Sequence, residues 1–446
     1  MDMTKGNTTK LILKFAFPLM IGNILQQFYN LADAMIVGKI LGYKALAALG
    51  SADWLVWFMN SVINGLTMGF CAKASQEKGK GEQKSLFFVS AMCIFLAVIF
   101  SGILFITGQI MAMPALKILN TPSDIINQSY NYLHIIYLGL PVNLFFNTFS
   151  ALLRADGDSK TPFVAMLISS VVNVGMDSLF VIKLNLGVES AAIATVFAQF
   201  CALIFCMIKF LRTKTLRFPK EYFKPISSVI KSILKQALPI GFQFCIISLS
   251  GLIIQVLINR QGATFIAGYT AANKYYGMME MAAIAIASAM LTYSGQNYGA
   301  RQYTRIKNGI KSSLIICAII SSIVTLIMIV FGKPLLSLFI SAKPPEKGLI
   351  ENFAYQFLLF LSCPLFILYV HHALRSILQG VGDIMTPIMS GVVQLIFRVG
   401  GGFIFTYLLG SVGVFICEPC AWIGSVTFLS IRLRFFMKRT KKEFNI

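Results

Sequence analysis

Apolar residues run along this chain in stretches of 20 to 30, separated by short polar or Gly/Pro-containing breaks. At 1.5 Å per residue such a stretch crosses about 30 Å of hydrocarbon as a helix. The pattern predicts spans over 11–39, 46–72, 86–111, 128–153, 163–184, 188–211, 233–258, 263–294, 310–333, 351–378, 384–409 and 412–434. The runs are too long and too continuously apolar for barrel strands, so helices follow. The first span carries Lys14 and Pro18 and has no small-residue cleavage site, which reads as a retained helix.

The spans repeat. Leu13-Lys14-Phe15-Ala16-Phe17-Pro18 matches Leu234-Lys235-Gln236-Ala237-Leu238-Pro239. Ser75-Gln76 with Gly79 matches Gly295-Gln296 with Gly299, and Gly157-Asp158…Thr161-Pro162 matches Gly382-Asp383…Thr386-Pro387. The offsets are 221, 220 and 225, so register holds across six spans. Six is even, so both halves enter from the same side and the repeat axis runs along the membrane normal. The expected architecture is all-α and integral to the membrane, about 12 helices in two pseudo-symmetric six-helix bundles. Its divisions are 1–212 for the N-terminal bundle, 213–232 for a cytoplasmic linker and 233–446 for the C-terminal bundle. The paired Gly-Asp…Thr-Pro segments read as turns, Gly permitting the bend and Pro opening the next helix.

Composition agrees: the chain is 57% hydrophobic and only 12% charged, with mean hydropathy +0.76. That excludes a soluble enzyme, a disordered chain and a one-helix anchor. The net charge of +21 falls mainly on one set of loops, around Lys73–Lys84, Arg154–Lys160, Lys209–Lys235 and Arg301–Lys311, and on both termini. This is the positive-inside pattern, not a nucleic-acid surface, and it predicts a multi-pass plasma-membrane protein with cytoplasmic termini. The nine cysteines are odd in number and scattered through apolar spans, which reads as free thiols.

Polar groups inside such spans are costly, and they are functional candidates by default. Gln26, Tyr29, Asn30 and Asp33 fall at i, i+3, i+4 and i+7, one face of the first helix. Asn173 and Asp177 share a face of the fifth helix, and Thr195 adds a hydroxyl from the sixth. Counted from the assigned outer ends, Asp33, Asp177 and Thr195 all lie at a depth of roughly 10 Å. Two nearby carboxylates in low dielectric must share a proton or hold a cation, and oxygen ligands of this kind suit Na⁺. The repeat supplies a control: Ile254, Arg398, Gly402 and roughly Glu418 occupy the matching places in the second half. The cluster is therefore not needed merely to build a six-helix bundle.

These features resemble the multidrug and toxin extrusion (MATE) family over nearly the whole chain. The resemblance rests on Gln26-Gln27-Phe28-Tyr29-Asn30 with Asp33, the Gln76 and Gln296 loops, the Arg154-to-Pro162 turn, and Asn173-Val174-Gly175-Met176-Asp177. Gly187 and Ala191-Ala192-Ile193-Ala194-Thr195 complete it. It implies a cation-coupled exporter of amphipathic, often cationic compounds, with a V-shaped cavity between the bundles. It also implies cation coupling, by H⁺ or Na⁺, at Asp33, Asn173, Asp177 and Thr195. Tyr29, Asn147, Ser150 and Tyr132 would line the substrate cavity, joined by Gln26 and Asn30 on the face described above. Some branches of the family carry acidic coupling residues on the seventh and tenth helices. Here Ile240–Ile247 has no carboxylate and the 351–378 span has only Glu351 at its edge, which argues against that kind of C-terminal site.

Other charges admit several roles. Arg398 and Glu418 are candidates for a neutralising structural pair. Glu280, Lys274 and Asp53 are candidate cavity residues, and an acidic Glu280 or Asp53 favours cationic substrates. Adjacent His371 and His372 diverge on a helix, which disfavours a metal site. The expected partners are small-molecule drugs or dyes and the bilayer, with no nucleic acid, no cofactor beyond the coupling ion and a monomer as the working unit. A lipid or lipid-linked oligosaccharide flippase is the alternative, although its pyrophosphate substrates call for a strongly cationic cavity. No nucleophile elbow, HExxH or Walker motif supports an enzyme or an ATP-driven pump.

Overall fold

The computed structural model describes residues 1–41, 43–119, 121–183, 186–337 and 346–443, with backbone alone for 30–39, 43–44, 46, 182–183, 220, 263, 346 and 443. The described residues contain fourteen α-helices. In the first half they are α1 (Thr8–Ile40), α2 (Tyr43–Lys80), α3 (Gln83–Ile118), α4 (Ile126–Leu138), α5 (Leu140–Ala155), α6 (Lys160–Asp177) and α7 (Val188–Arg212). The second half has α8 (Ser227–Asn259), α9 (Ala263–Gly299), α10 (Tyr303–Ser337), α11 (Glu346–Ser362), α12 (Leu365–Gly380), α13 (Met385–Leu409) and α14 (Cys417–Glu443).

Two spans expected to be continuous are broken. α4 meets α5 at 43°, and α11 meets α12 at 48°. The breaks fall at Gly139 and at Cys363-Pro364, corresponding places in the two halves. Pro141 opens α5 and Pro364 caps α12, each lacking the N–H that would continue the preceding helix. With each bent pair taken as one span, eleven segments are long and apolar enough to cross a membrane. One of them, Met385–Lys442, contains α13 and α14 separated by a 3₁₀ turn at Gly410–Ile416, which brings the described spans to twelve.

The outer surface is apolar. On α10, Ile315, Ile319, Ile323, Leu326 and Val330 form an exposed stripe at helical spacing, and Ile99, Ile103, Ile106 and Ile110 do so on α3. Continuous aliphatic faces of this size suit lipid, not water.

The repeated turns are nearly superposable in their bonding. Gly157 and Gly382 have φ of +91° and +83°. The amides of Gly157 and Asp158 donate to Arg154 O and Leu153 O, and those of Gly382 and Asp383 donate to Gln379 O and Leu378 O. Each is a glycine-closed helix end, in which a left-handed residue lets the turn satisfy the last carbonyls. The Asp then caps the next helix: Asp158 accepts from the amides of Lys160 and Thr161, and Asp383 accepts from that of Thr386.

The chain divides into two compact units. One comprises Phe17–Gly241 with Met1–Asp2, the other Phe242–Ile446 with Met3–Ala16. The division falls inside α1 and α8, the leading helix of each half, and not in the 213–232 segment. Within the first unit that segment is anchored. Thr215 accepts from Gln83 and donates to Asp156, while Tyr222 packs 4.6 Å from Phe88. The start of α8 packs on α2 through small residues. A Cβ on Gly65 or Gly69 would overlap Gly241 or Ala237 respectively, so the backbones meet as in a small-xxx-small contact. The core of this unit gathers Leu49, Ile63, Leu104, Tyr132, Tyr137, Leu140 and Leu144.

Candidate functional site

α6 and α7 hold three of the four expected cation ligands in the first unit. Asn173 and Asp177 lie one turn apart on α6, exposed by 1% and 0%. Asn173 Nδ2 donates to Thr195 Oγ1 at 3.3 Å, and Thr195 in turn donates to Ala191 O at 3.0 Å. Asn173 Oδ1 is buried without a hydrogen-bond partner among the described residues. Asp177 is the last α-helical residue before the chain widens into a π turn over Ser178–Lys183. Such a widening interrupts the i→i−4 ladder and often marks a functional segment. The amide and hydroxyl thus meet directly, and the carboxylate is buried one helical turn away on α6, a donor set suited to a proton or a hard monovalent cation. The side chain of Asp33, the fourth expected ligand, lies outside the described residues, as does that of Asn30, an expected cavity residue.

The expected cavity residues divide. Gln26 is exposed and Tyr29 half-buried on α1. Asn147 belongs to a ladder of amides: its Nδ2 donates to Asn143 Oδ1 at 2.6 Å, and Asn143 Nδ2 donates to Asn60 Oδ1 at 2.7 Å. Ser150 is 1% exposed and lies 3.6 Å from Cys206 Sγ. Tyr132 is 7% exposed and packs into the aliphatic core.

In the second unit, Glu280 does not stand alone. His372 Nε2 lies 3.0 Å from its carboxylate, and Arg375 reaches His372 Nδ1 at 3.0 Å and His371 Nε2 at 3.4 Å. If Arg375 donates to both rings, His372 carries its proton on Nε2 and passes it toward Glu280, while His371 keeps its proton on Nδ1. Gln394 also meets His371 at 3.2 Å, and a second buried polar chain runs from Gln379 to Gln243 to Ser390 in the same unit. The two histidines do not diverge as helical spacing suggested: Arg375, one turn on, draws both, and their rings are 5.3 Å apart. Sequence reasoning missed this network because it considered the histidines without Arg375. The signal was there, as three basic or imidazole groups at i, i+1 and i+4 in an apolar helix. Arg398 pairs with Glu418 as expected and also donates to Ser250.

A repeated six-span plan with exposed aliphatic faces and a buried oxygen cluster defines a polytopic membrane transporter. The MatE family model matches residues 18–179 and again 239–404, once in each half, and the chain belongs to that family. It is similar to the probable multidrug resistance protein YpnP of Bacillus subtilis, 28% identical across 93% of this chain and 92% of that one. The probable multidrug resistance protein NorM of Thermotoga maritima is 23% identical across 96% and 92%. A crystal structure of MATE in complex with MaL6 superposes with a TM-score of 0.93 at 21% identity, covering 99% of both chains, which establishes the fold.

Proposed function

We propose that the protein is a secondary active exporter of amphipathic, often cationic small molecules, exchanging them for H⁺ or Na⁺ by alternating access. The observation that carries this is Asp177, fully buried one turn from Asn173 and its Thr195 partner in a membrane-spanning bundle. A carboxylate at 0% exposure is costly to ionise without hydrogen bonds and counter-charge around it, and a proton or a cation can neutralise it there. Asp33, Asn173, Asp177 and Thr195 form the ion site, and its occupancy biases the outward-open state. The ion's preference for that state then drives substrate release. The loop charges support a topology with both termini in the cytoplasm. Multidrug resistance relatives favour this reading over a lipid-linked oligosaccharide flippase.

The test is ethidium transport in proteoliposomes with ΔpH and Na⁺ gradients imposed separately. The wild type responds to at least one gradient. Asp177→Asn loses that response by at least about tenfold, and Thr195→Ala weakens it less, mostly if Na⁺ is the driver. Gradient-driven efflux unchanged in Asp177→Asn would remove this site from the mechanism.

A further inference from the structure

The first unit holds a cavity that the ion site does not use. It lies where the end of α2, the start of α3 and the first turns of α8 meet. Its volume is about 170 Å³, room for far more than one water. Lys73 of α2, Ser85 of α3 and Ser228 and Ser232 of α8 give it polar groups, while Phe88 and Val229 give it apolar walls. Tyr222, in the segment before α8, packs on Phe88 with ring centroids 4.6 Å apart and so fixes one wall.

The carboxylate that borders the cavity is already neutralised. Glu77, 3% exposed, accepts from Lys73 and Lys80, each at 2.8 Å, and from Ser85 at 2.6 Å. Two lysines on one carboxylate leave the cluster net positive, and the ammonium of Lys73 carries more N–H donors than Glu77 engages. On α8, Ser228, Lys231, Ser232 and Lys235 fall at i, i+3, i+4 and i+7, one face of the helix. Lys231 and Lys235 are exposed, and neither forms an ion pair among the described residues. Ser232 turns its hydroxyl back to Val229 O at 2.8 Å, a local bond that rotation about χ1 releases.

Ammonium groups and hydroxyls gathered at a cavity suit a phosphate ester, whose oxygens accept hydrogen bonds. Apolar walls beside them suit the glycerol and upper acyl chain of a lipid, not a freely hydrated anion. The depth agrees, because Lys73 lies roughly 10 Å inside the end of α2 at Lys80. The lysine-rich 209–235 segment marks this end of the bundle as the cytoplasmic one, where the leaflet carries anionic headgroups.

We propose that this cavity binds the headgroup phosphate of an acidic phospholipid of the cytoplasmic leaflet. Lys73, Ser228 and Ser232 hold the phosphate. Lys231 and Lys235, on the same face of α8, favour a net negative headgroup over a zwitterionic one. Phe88 and Val229 pack against the glycerol end of the lipid, which thereby ties the first turns of α8 to α2 and α3. The site goes beyond the exporter reading and does not depend on it.

The test uses full-length protein stripped of native lipid in detergent. Thermal melting is followed as dioleoyl phosphatidylglycerol is added in mixed micelles, with dioleoyl phosphatidylcholine and inorganic phosphate as separate series. Phosphatidylglycerol is expected to raise Tm saturably, and the other two are not. Ser232→Leu, which fills the cavity without changing charge, should abolish the shift. Lys231→Gln combined with Lys235→Gln should raise the Kd by about tenfold. Lys438→Gln combined with Lys441→Gln, at exposed positions on α14 in the other unit, should leave the shift intact. That control separates a site from the general attraction of lysines to acidic lipid. If Ser232→Leu lowers the lipid-free Tm, the Lys231/Lys235 variant, altered only at exposed positions, decides. Equal stabilisation by phosphatidylcholine overturns headgroup recognition. Stabilisation by inorganic phosphate makes the cavity a free-anion site and overturns the lipid. An unchanged phosphatidylglycerol response in both α8 variants places the lipid elsewhere and overturns the site.

Discussion

At the scale of single residues, the repeat shows where one half has departed from the backbone's preference. The turn between α2 and α3 contains Gly81 at φ +78°, and 220 positions on, between α9 and α10, Arg301 adopts φ +55°. Both amides close the same bond, Gly81 to Lys78 O and Arg301 to Tyr298 O. Glycine takes this conformation freely, while an L side chain there costs roughly 1 kcal/mol. Arg301 is exposed, so little packing offsets that cost. Arg301→Gly should therefore raise stability by about 0.5–1 kcal/mol, and Gly81→Ala should lower it by a similar amount. Thermal unfolding of the two variants in one detergent checks the opposite signs. A loss in both would mean that the Arg301 side chain stabilises its turn.

At the scale of elements, the contact between α2 and the start of α8 depends on having almost no side chains. Gly65 and Gly69 face Ala237 and Gly241, and in the second half Ala285 and Ala289, both fully buried, take the places that correspond to the glycines. In hydrocarbon no hydrophobic force drives helices together, so close backbone approach supplies the packing energy. Gly69→Leu has nowhere to place its Cβ and should greatly reduce the yield of monodisperse protein. Gly102→Leu on α3, where an added Cβ meets nothing within 4 Å, should not. Equal yields from the two would show that the α2–α8 contact tolerates separation.

The same elements show what was legible in the sequence. Apolar length gave the spans, and the Gly-Asp…Thr-Pro repeat gave turns whose hydrogen bonds match pair by pair. The breaks at Gly139 and Pro364 were not legible, because hydropathy stays high through both and a bend leaves no trace in it. Asn173 and Thr195 were legible as partners because intramembrane polar groups are rare. The amide ladder from Asn60 to Asn147 was only half visible, since its members sit 83 positions apart and no periodicity links two helices.

At the scale of the whole molecule, the sequence divides where the structure does not. Loop composition places a boundary between 212 and 233, yet Met3–Ala16 belongs to the unit formed by the second half, and the start of α8 belongs to the first. The bonding within each unit agrees. Met3 N donates to Gln296 Oε1 at 2.9 Å, and Asn297 and Arg305 both donate to Met3 O. In the other unit Gln76 and Gln236 exchange amide bonds at 3.4 and 3.1 Å. Gln76 and Gln296 are repeat-related, so each half uses the same glutamine to hold the leading segment of the other. A chain severed near Phe218 would then give two fragments, neither containing a complete unit. The fragment 219–446 expressed alone lacks the segment that satisfies Gln296, Asn297 and Arg305, and it should be degraded or aggregate. Co-expressed with 1–218, it should be recovered in a complex that copurifies through a tag on either piece and regains the ethidium transport proposed for the intact chain. Removing residues 3–16 from the first fragment should abolish that rescue. A C-terminal fragment that is stable and monodisperse by itself would show that the second unit folds without its borrowed segment.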